Sequence, residues 1–534
     1  MGRQLLGGAG ASDNTVAEQA IDVLRDALDS GRVDLANAQV ISSWAGLLDA
    51  HAAEVRTLLT PVPSDHLVRY SLLGLLLGFA SFMDPATRPR ASRYFEIAVL
   101  ATRARHPRAA VPERIALHCA ESAALRQLGQ MRGATSAARA AVRLLNVAAD
   151  EHLAQIGQLP RVYADLGWTF FESGRSEEAL VAFLRGLSAS KSPADSSGNR
   201  AAICAMQALE GDILSSRENI ARARVEVRRE DGDIGPRGRV HVELASALLE
   251  LEDFETDAAA RHLAEIGPVS AVTEGWIERA RLEAAIALVA GRPGEGLAEL
   301  DRVLRMRAGD GRSRYAQCRL APVRALLQLA LGNVEAAGVL LRETGGTTPQ
   351  IRVGLARVEL VRGRLHAALN AIAALPVEGL SPRTVAEATA IEAAVLLRLP
   401  STFRALGAID RLGALARSTG LRLPLAFLPR SDFERVRDAL TLRGYGDLFV
   451  RVHAVLPESS VLTLTTREVA LLRALAEPDA SRAGIAEQLH VSVNTVKTQL
   501  RLLYRKLGVS DRQTALAVAF ERRLLDESDE APLR

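Results

Sequence analysis

Asn494, Lys497, Thr498, Arg501 and Arg505 recur at helical spacing near the end of a chain of 534 residues. Residues so spaced share one face of an α-helix. They offer hydrogen-bond donors from two guanidinium groups, an ammonium and an amide, with no carboxylate among them. Guanidinium and ammonium groups pair with phosphates and with guanine O6 and N7. An amide pairs with adenine, and a threonine methyl can meet the methyl of thymine. Ser492 and Thr495 add hydroxyls where that helix would begin. The set suits double-stranded DNA. A cationic stripe by itself is more often a solvated helix face, so the surrounding elements must decide.

Those elements can be read from spacing. The other side of the same segment carries Val493, Val496, Leu500, Leu503 and Leu507, which predicts an amphipathic helix over 493–507. Ser492 is a good N-cap and Gly508 a good stop. Upstream, Thr465 and Glu468 form a capping-box pattern ahead of an apolar face made by Val469, Leu472 and Leu475. A further helix should start near Ser481 and bury Ile485, Ala486 and Leu489, with a tight break at His490 and Val491. Ser510 and Gln513 repeat the capping-box pattern before Ala515, Leu516, Val518 and Ala519. Two short helices joined by a tight turn, the second cationic, make a helix-turn-helix. The major groove is wide enough for such a helix.

The run from Leu464 to Ala519 resembles the LuxR-type helix-turn-helix. The matching residues are the opening L-T-x-R-E, the I-A-x-x-L of the scaffold helix, the S-x-x-T-V-K of the recognition helix and the Y-R-K-L-G-V-S-D-R before the last helix. The resemblance covers roughly residues 461–525. It implies that Lys497, Thr498 and Arg501 enter the major groove. It also implies that the fourth helix, through Ala515, Leu516, Ala519 and Phe520, joins two copies on paired half-sites. Gln499 stands where many members have histidine, and His490 where an aromatic residue or glycine is frequent.

The remaining chain has a different texture. Hydrophobic residues make up 48% and aromatics 4%, with Ala, Leu and Arg dominant. Such a composition favours helices over strands, so the expected fold class is all-α. The stretch 163–187 is the clearest repeat unit. Leu166, Gly167 and Phe170 lie on one helix, Gly174 makes the turn, and Ala179, Phe183 and Gly186 line the next helix. This spacing resembles the tetratricopeptide repeat (TPR). Weaker copies turn at residues 211, 252, 291, 332 and 363, near the ~34–45-residue period of helical-hairpin repeats. The expected organisation is a TPR-like solenoid over 1–456, a linker at 457–460, the helix-turn-helix domain over 461–525 and an acidic tail over 526–534. The polar stretches 190–200, 228–239 and 307–314 read as solvated connections.

Several function classes are disfavoured. There is no P-loop, H-E-x-x-H, C-x-x-C or G-x-S-x-G pattern, so no catalytic residue, metal ligand or cofactor is assigned. The net charge is only +3, which confines any DNA site to a local patch. Three scattered cysteines and the lack of a membrane-length apolar run point to a cytoplasmic protein, with residues 70–83 as a buried helix. The arrangement is similar to the C-terminal part of the large ATP-binding LuxR regulators, although their nucleotide-binding motif is missing here. The reading is a DNA-binding transcriptional regulator, dimeric on DNA, with an unidentified peptide, protein or small-molecule effector at the helical repeats. The competing reading is a TPR scaffold whose terminal helices dock protein. Salt-dependent DNA retention discriminates the two.

Overall fold

The computed structural model describes residues 10–105, 109–229, 235–268, 275–307, 311, 313–345, 348–399, 402–458, 466–477, 480–507, 509 and 511–521. It divides into two compact units, residues 1–459 and 460–534. The fold is all-α; among the described residues, extended pairing is limited to an isolated bridge between Pro429 and Leu456. No described helix is long and apolar enough to cross a membrane.

The larger unit is a succession of helical pairs. It opens with α1 (Gly10–Asp29) and α2 (Val33–Leu59), followed by the short α3 (Ser64–Arg69). Then come α4 (Ser71–Met83) with α5 (Arg88–Arg105) and α6 (Val111–Gln127) with α7 (Met131–Val147). After the short α8 (Asp150–Ala154), α9 (Leu159–Glu172) pairs with α10 (Ser176–Ala189) and α11 (Pro193–Glu210) with α12 (Ile213–Arg229). Next are α13 (Gly235–Glu252) with α14 (Thr256–Ile266), and α15 (Trp276–Val289) with α16 (Pro293–Met306). The last pairs are α17 (Arg314–Ala330) with α18 (Val334–Glu343), α19 (Pro349–Val361) with α20 (Leu365–Ala373), and α21 (Pro382–Arg398) with α22 (Thr402–Thr419). The short α23 (Leu423–Ala426) and α24 (Arg430–Leu442) follow. From α4 onward, the first helix of each pair packs on the first helix of the next. That neighbour-on-neighbour order defines a solenoid.

One turn recurs through the array. At residues 174, 211, 291, 332 and 363 a glycine takes a positive φ, and the following N–H bonds back to a carbonyl five residues earlier. Arg175 N reaches Phe170 O at 2.9 Å and Arg292 N reaches Ala287 O at 2.8 Å. This is the left-handed C-terminal cap, which satisfies carbonyls the helix end leaves unpaired. The unit lacking a glycine near residue 252 makes the same turn with Phe254, at φ 64°. Gly31 and Gly129 repeat it, so the pattern extends further toward the N-terminus than the repeats read from sequence.

Small residues set the helix spacing. A Cβ on Gly167 would lie 2.4 Å from Cε1 of Phe183, which is fully buried on the facing helix. Helix α4, the apolar run at 70–83, is almost wholly buried as expected. The stretch 190–200 is different from the solvated loop expected. It is helical from Pro193, and Asn199 is buried, donating from Nδ2 to Pro160 O at 2.8 Å. Proline is pre-organised for the first helical position, and tertiary packing overrides the Ser- and Asn-rich composition. Likewise, residues 235–239 open α13, while 230–234 lie outside the described residues.

The array also contacts itself over a long sequence distance. Helix α11 meets α21, and α12 meets α22. At this closure, fully buried Glu252 accepts from Arg383 Nη1 at 2.7 Å through Oε1. Its Oε2 accepts from the backbone N–H groups of Arg422 and Leu423 at 2.7 and 2.9 Å. Arg383 also donates to the carbonyls of Ala208 and Leu209. A buried carboxylate is tolerable only when partnered in this way.

Candidate nucleic-acid interface

The smaller unit contains α25 (Thr466–Ala476), α26 (Arg482–Gln488), α27 (Val493–Leu507) and α28 (Arg512–Glu521). Its core joins Leu471, Leu472 and Leu475 of α25 to Ile485 and Ala486 of α26, with Val496, Leu500, Leu503 and Leu507 from α27 and Ala515 and Ala519 from α28. Thr465, Gly508 and Ser510 lie outside the described residues, as does the expected tail at 526–534. So does half of the expected linker, of which Pro457 and Glu458 are described.

Local hydrogen bonds fix where α26 begins and ends and where α27 begins. Ser481 Oγ accepts from Gly484 N at 3.1 Å and opens α26. His490 sits at φ 52° between the two helices, where His490 N reaches Glu487 O and Val491 N reaches Ala486 O at 2.9 Å. The helix-turn-helix turn is thus the same left-handed cap the solenoid uses, with histidine in the glycine position. Ser492 Oγ then accepts from Thr495 N at 3.1 Å and opens α27.

On α27 the expected stripe is presented outward. Asn494, Lys497, Thr498 and Arg501 are exposed, as is Ser492, while Thr495 is half-buried and shares a hydroxyl–hydroxyl bond of 2.8 Å with Ser492. Thr498 donates its hydroxyl proton to Asn494 O at 3.0 Å, which leaves its methyl and the hydroxyl lone pairs to a partner. Among the described residues, no ion pair neutralises Lys497 or Arg501. Arg505 lies on this helix, but its side chain is outside the described residues. Tyr504 is half-buried, and burial pushes its hydroxyl pKa up.

Three expectations need correction. Val493 does not join the buried stripe; it is 48% exposed, because the first residue of α27 projects beyond the helices that cover its later turns. Of the four residues assigned to pairing of two copies, Ala515 and Ala519 are fully buried in the core of their own unit. They sit one turn apart on the inward face of α28, so they are unavailable to a second chain. Leu516 is half-buried, and the Phe520 side chain lies outside the described residues. Asp511 caps α28, its Oδ1 accepting from Thr514 N at 2.9 Å, while Ser510, the expected cap, lies outside the described residues. With α28 opening at Arg512, Gln513 is its second residue rather than the third that a capping box requires.

Sequence reasoning also misses the work of Arg512. Its Nε and Nη2 donate to Leu475 O and Glu477 O at 3.1 and 2.6 Å, capping the C-terminus of α25 from α28. In the sequence, the S-D-R run reads only as part of a longer pattern. A cation next to a helix N-cap is the available signal, but its carbonyl partners are more than thirty residues away.

Comparison with known proteins places this unit. Across the whole chain, the crystal structure of the APC/C hetero-tetramer Cut9-Hcn1 aligns with 91% of this chain and 96% of that one, at 11% identity and a TM-score of 0.40. A likeness that loose bears no argument. The probable transcriptional regulatory protein NarL of Mycobacterium tuberculosis is 46% identical over 70 residues, in both strain CDC 1551 / Oshkosh and strain ATCC 25618 / H37Rv. That match takes in 13% of this chain and 31% of NarL, so the chain spans about a third of the length of these relatives. Residues 462–519 match the luxR family of bacterial regulatory proteins, also called GerE, and the four-helix unit at the C-terminus is a domain of that family.

Proposed function

We propose that the chain is a bacterial sequence-specific DNA-binding regulator of transcription, and that α27 is its recognition helix. The observation that carries this reading is the outward stripe of Asn494, Lys497, Thr498 and Arg501 on a helix whose other face is locked into the unit's core. In the major groove, Arg501 and Lys497 donate to guanine or phosphate, Asn494 meets adenine, and the Thr498 methyl meets thymine. Ser492, Thr495 and Arg505 serve the phosphate backbone, which positions a helix without specifying sequence. Two copies pair on DNA through the outer side of α28, with Leu516 and Phe520 as the residues of the expected set that contribute. The helical array receives an effector and sets the activity of the DNA-binding unit. The chain is a binding protein in this reading, not an enzyme.

The test is the fluorescence anisotropy of labelled duplex DNA with the full chain, across a salt series. Phosphate pairing makes affinity fall steeply with salt. Lys497→Ala with Arg501→Ala should weaken binding by ~1–3 kcal/mol for each of the two side chains that pairs with a base. Affinity unchanged by the double substitution and insensitive to salt would refute the assignment and favour a protein-docking scaffold.

A further inference from the structure

The turn between α13 and α14 clasps a distant part of the array. Glu252, Asp253, Phe254 and Glu255 are consecutive, and each meets a residue more than a hundred positions later. Glu252 holds Arg383 and the N–H groups of Arg422 and Leu423, as described above. Asp253 accepts from Arg422 Nη1 through one oxygen and from Arg217 Nη2 at 2.8 Å through the other. The Phe254 ring stands 5.0 Å from that of His453, centroid to centroid. Glu255 accepts from Arg451 Nη1 at 2.7 Å. Beside these contacts, a Cβ on Gly211 would lie 2.8 Å from Arg383 N and 2.9 Å from Leu421 Cδ1, so the α11–α12 turn presses on the same segment.

Arg451 and His453 belong to the stretch 450–457, which follows the 3-10 turn Gly446–Phe449. The stretch buries Val452 and Leu456 and leaves Val450, Arg451 and His453 exposed. Its later half lies along residues 426–430, where Val455 N donates to Ala426 O at 3.0 Å and Leu456 bridges Pro429. Arg422 and Leu423, whose N–H groups Glu252 holds, lead into that wall through α23. The 252–255 turn therefore fixes the stretch directly at 451 and 453, and indirectly at 455 and 456. The larger unit ends at Ser459, so this stretch is its last described piece before the DNA-binding unit.

Two observations show where this hold is weak. Phe254 takes φ 64° in a turn for which residues 174, 211, 291, 332 and 363 use glycine. A bulky residue in that conformation is strained and persists only where surrounding contacts hold it, as in switch regions. The ring that strains the turn is the one that meets His453. In addition, the side chains of Arg451 and Glu255 are 68% and 53% exposed, so their pair contributes little and is screened by salt. We propose that residues 450–457 form a releasable strap, seated while the 252–255 turn closes the α11–α21 seam and freed when that seam opens. Seated, the strap holds the start of the connection to the smaller unit at Pro457. Freed, it lets that connection begin just after Phe449, which adds up to roughly 26–29 Å of reach. A response of DNA binding to this change rests on the regulatory reading above; the strap itself does not.

Two variants of the full chain test this, followed by hydrogen exchange in peptides covering 449–457, α13 and α14. Phe254→Gly gives the turn the residue its sister turns use and takes the ring away from His453. The strap should then exchange roughly 2- to 10-fold faster, while α13 and α14 stay as protected as in the parent chain. Glu252→Gln alters a carboxylate whose partners are residues 383, 422 and 423 rather than the strap. By opening the seam it should still speed strap exchange by at least roughly 10-fold. The proposal is overturned if the strap exchanges as in the parent chain in either variant, or if Phe254→Gly deprotects α13 and α14 as much as the strap. Anisotropy of labelled duplex DNA with the same samples separates the two readings. A strap that frees as expected, with no DNA binding by the parent chain, keeps the strap and removes the regulator. DNA binding by the parent chain with an unmoved strap does the reverse.

Discussion

Replacing Gly167 by alanine tests the repeat packing directly. On helix propensity alone, the change should stabilise α9 by about 1 kcal/mol. The structure predicts the opposite. The new methyl would sit 2.4, 2.6 and 3.0 Å from Cε1, Cδ1 and Cζ of Phe183, where carbon atoms normally stand about 3.5–4.0 Å apart. Phe183 is fully buried among close-packed neighbours, so it cannot swing away and the two helices must part. Overpacking of this kind costs about 1–3 kcal/mol. A clash of more than an ångström puts Gly167→Ala at the upper end, for a net loss of about 2 kcal/mol after the propensity gain. A solenoid need not unfold in one step, so the assay is hydrogen exchange resolved to α9 and α10. Amides there should open more readily than in the parent chain, and Phe183→Leu in the same chain should recover part of the loss through coupling of the two sites. Gly167→Ala exchanging as slowly as the parent, or more slowly, would refute the close approach of these helices.

Other consequences follow from single sites. Glu252→Gln leaves the Arg383 guanidinium without its carboxylate at the α11–α21 closure. Breaking a buried pair this way costs about 3–5 kcal/mol, and small-angle scattering should show a larger radius of gyration; an unchanged radius and melting profile would contradict the closure. His490→Gly should stabilise the smaller unit by up to about 1 kcal/mol, since glycine holds a positive φ without strain, and amides of α26 and α27 should exchange more slowly. Iodoacetamide at mildly alkaline pH should add to Cys318 before the other two cysteines, both buried in the native chain. Burial pushes the Cys204 thiol up to about 12, so little reactive thiolate exists there; early modification of Cys204 by peptide mass analysis would count against its packing.

Much of this protein is legible in its sequence because its main devices are local. The glycine turns, the caps at Ser481 and Ser492 and the two stripes of α27 are each settled within a few residues of chain. Helix-period patterning shows which residues face inward only while a covering element is present, which is why Val493 escapes it. The positive φ values at Phe254 and His490 are hidden because non-glycine residues there carry no compositional mark. The Glu252–Arg383 closure and the Arg512 cap are illegible for another reason. Both depend on residues brought together from far apart in the chain, and spacing rules carry no information about such partners.

The central claim is that α27 reads DNA sequence. The most direct measurement is selection of bound sites from a random DNA pool, run in parallel with the full chain and with the chain carrying Lys497→Ala and Arg501→Ala. The account predicts that the parent chain enriches one motif, repeated as paired half-sites, and that the variant loses it while retaining its helical content. No enrichment by the parent chain, or the same motif enriched equally by both, would contradict it.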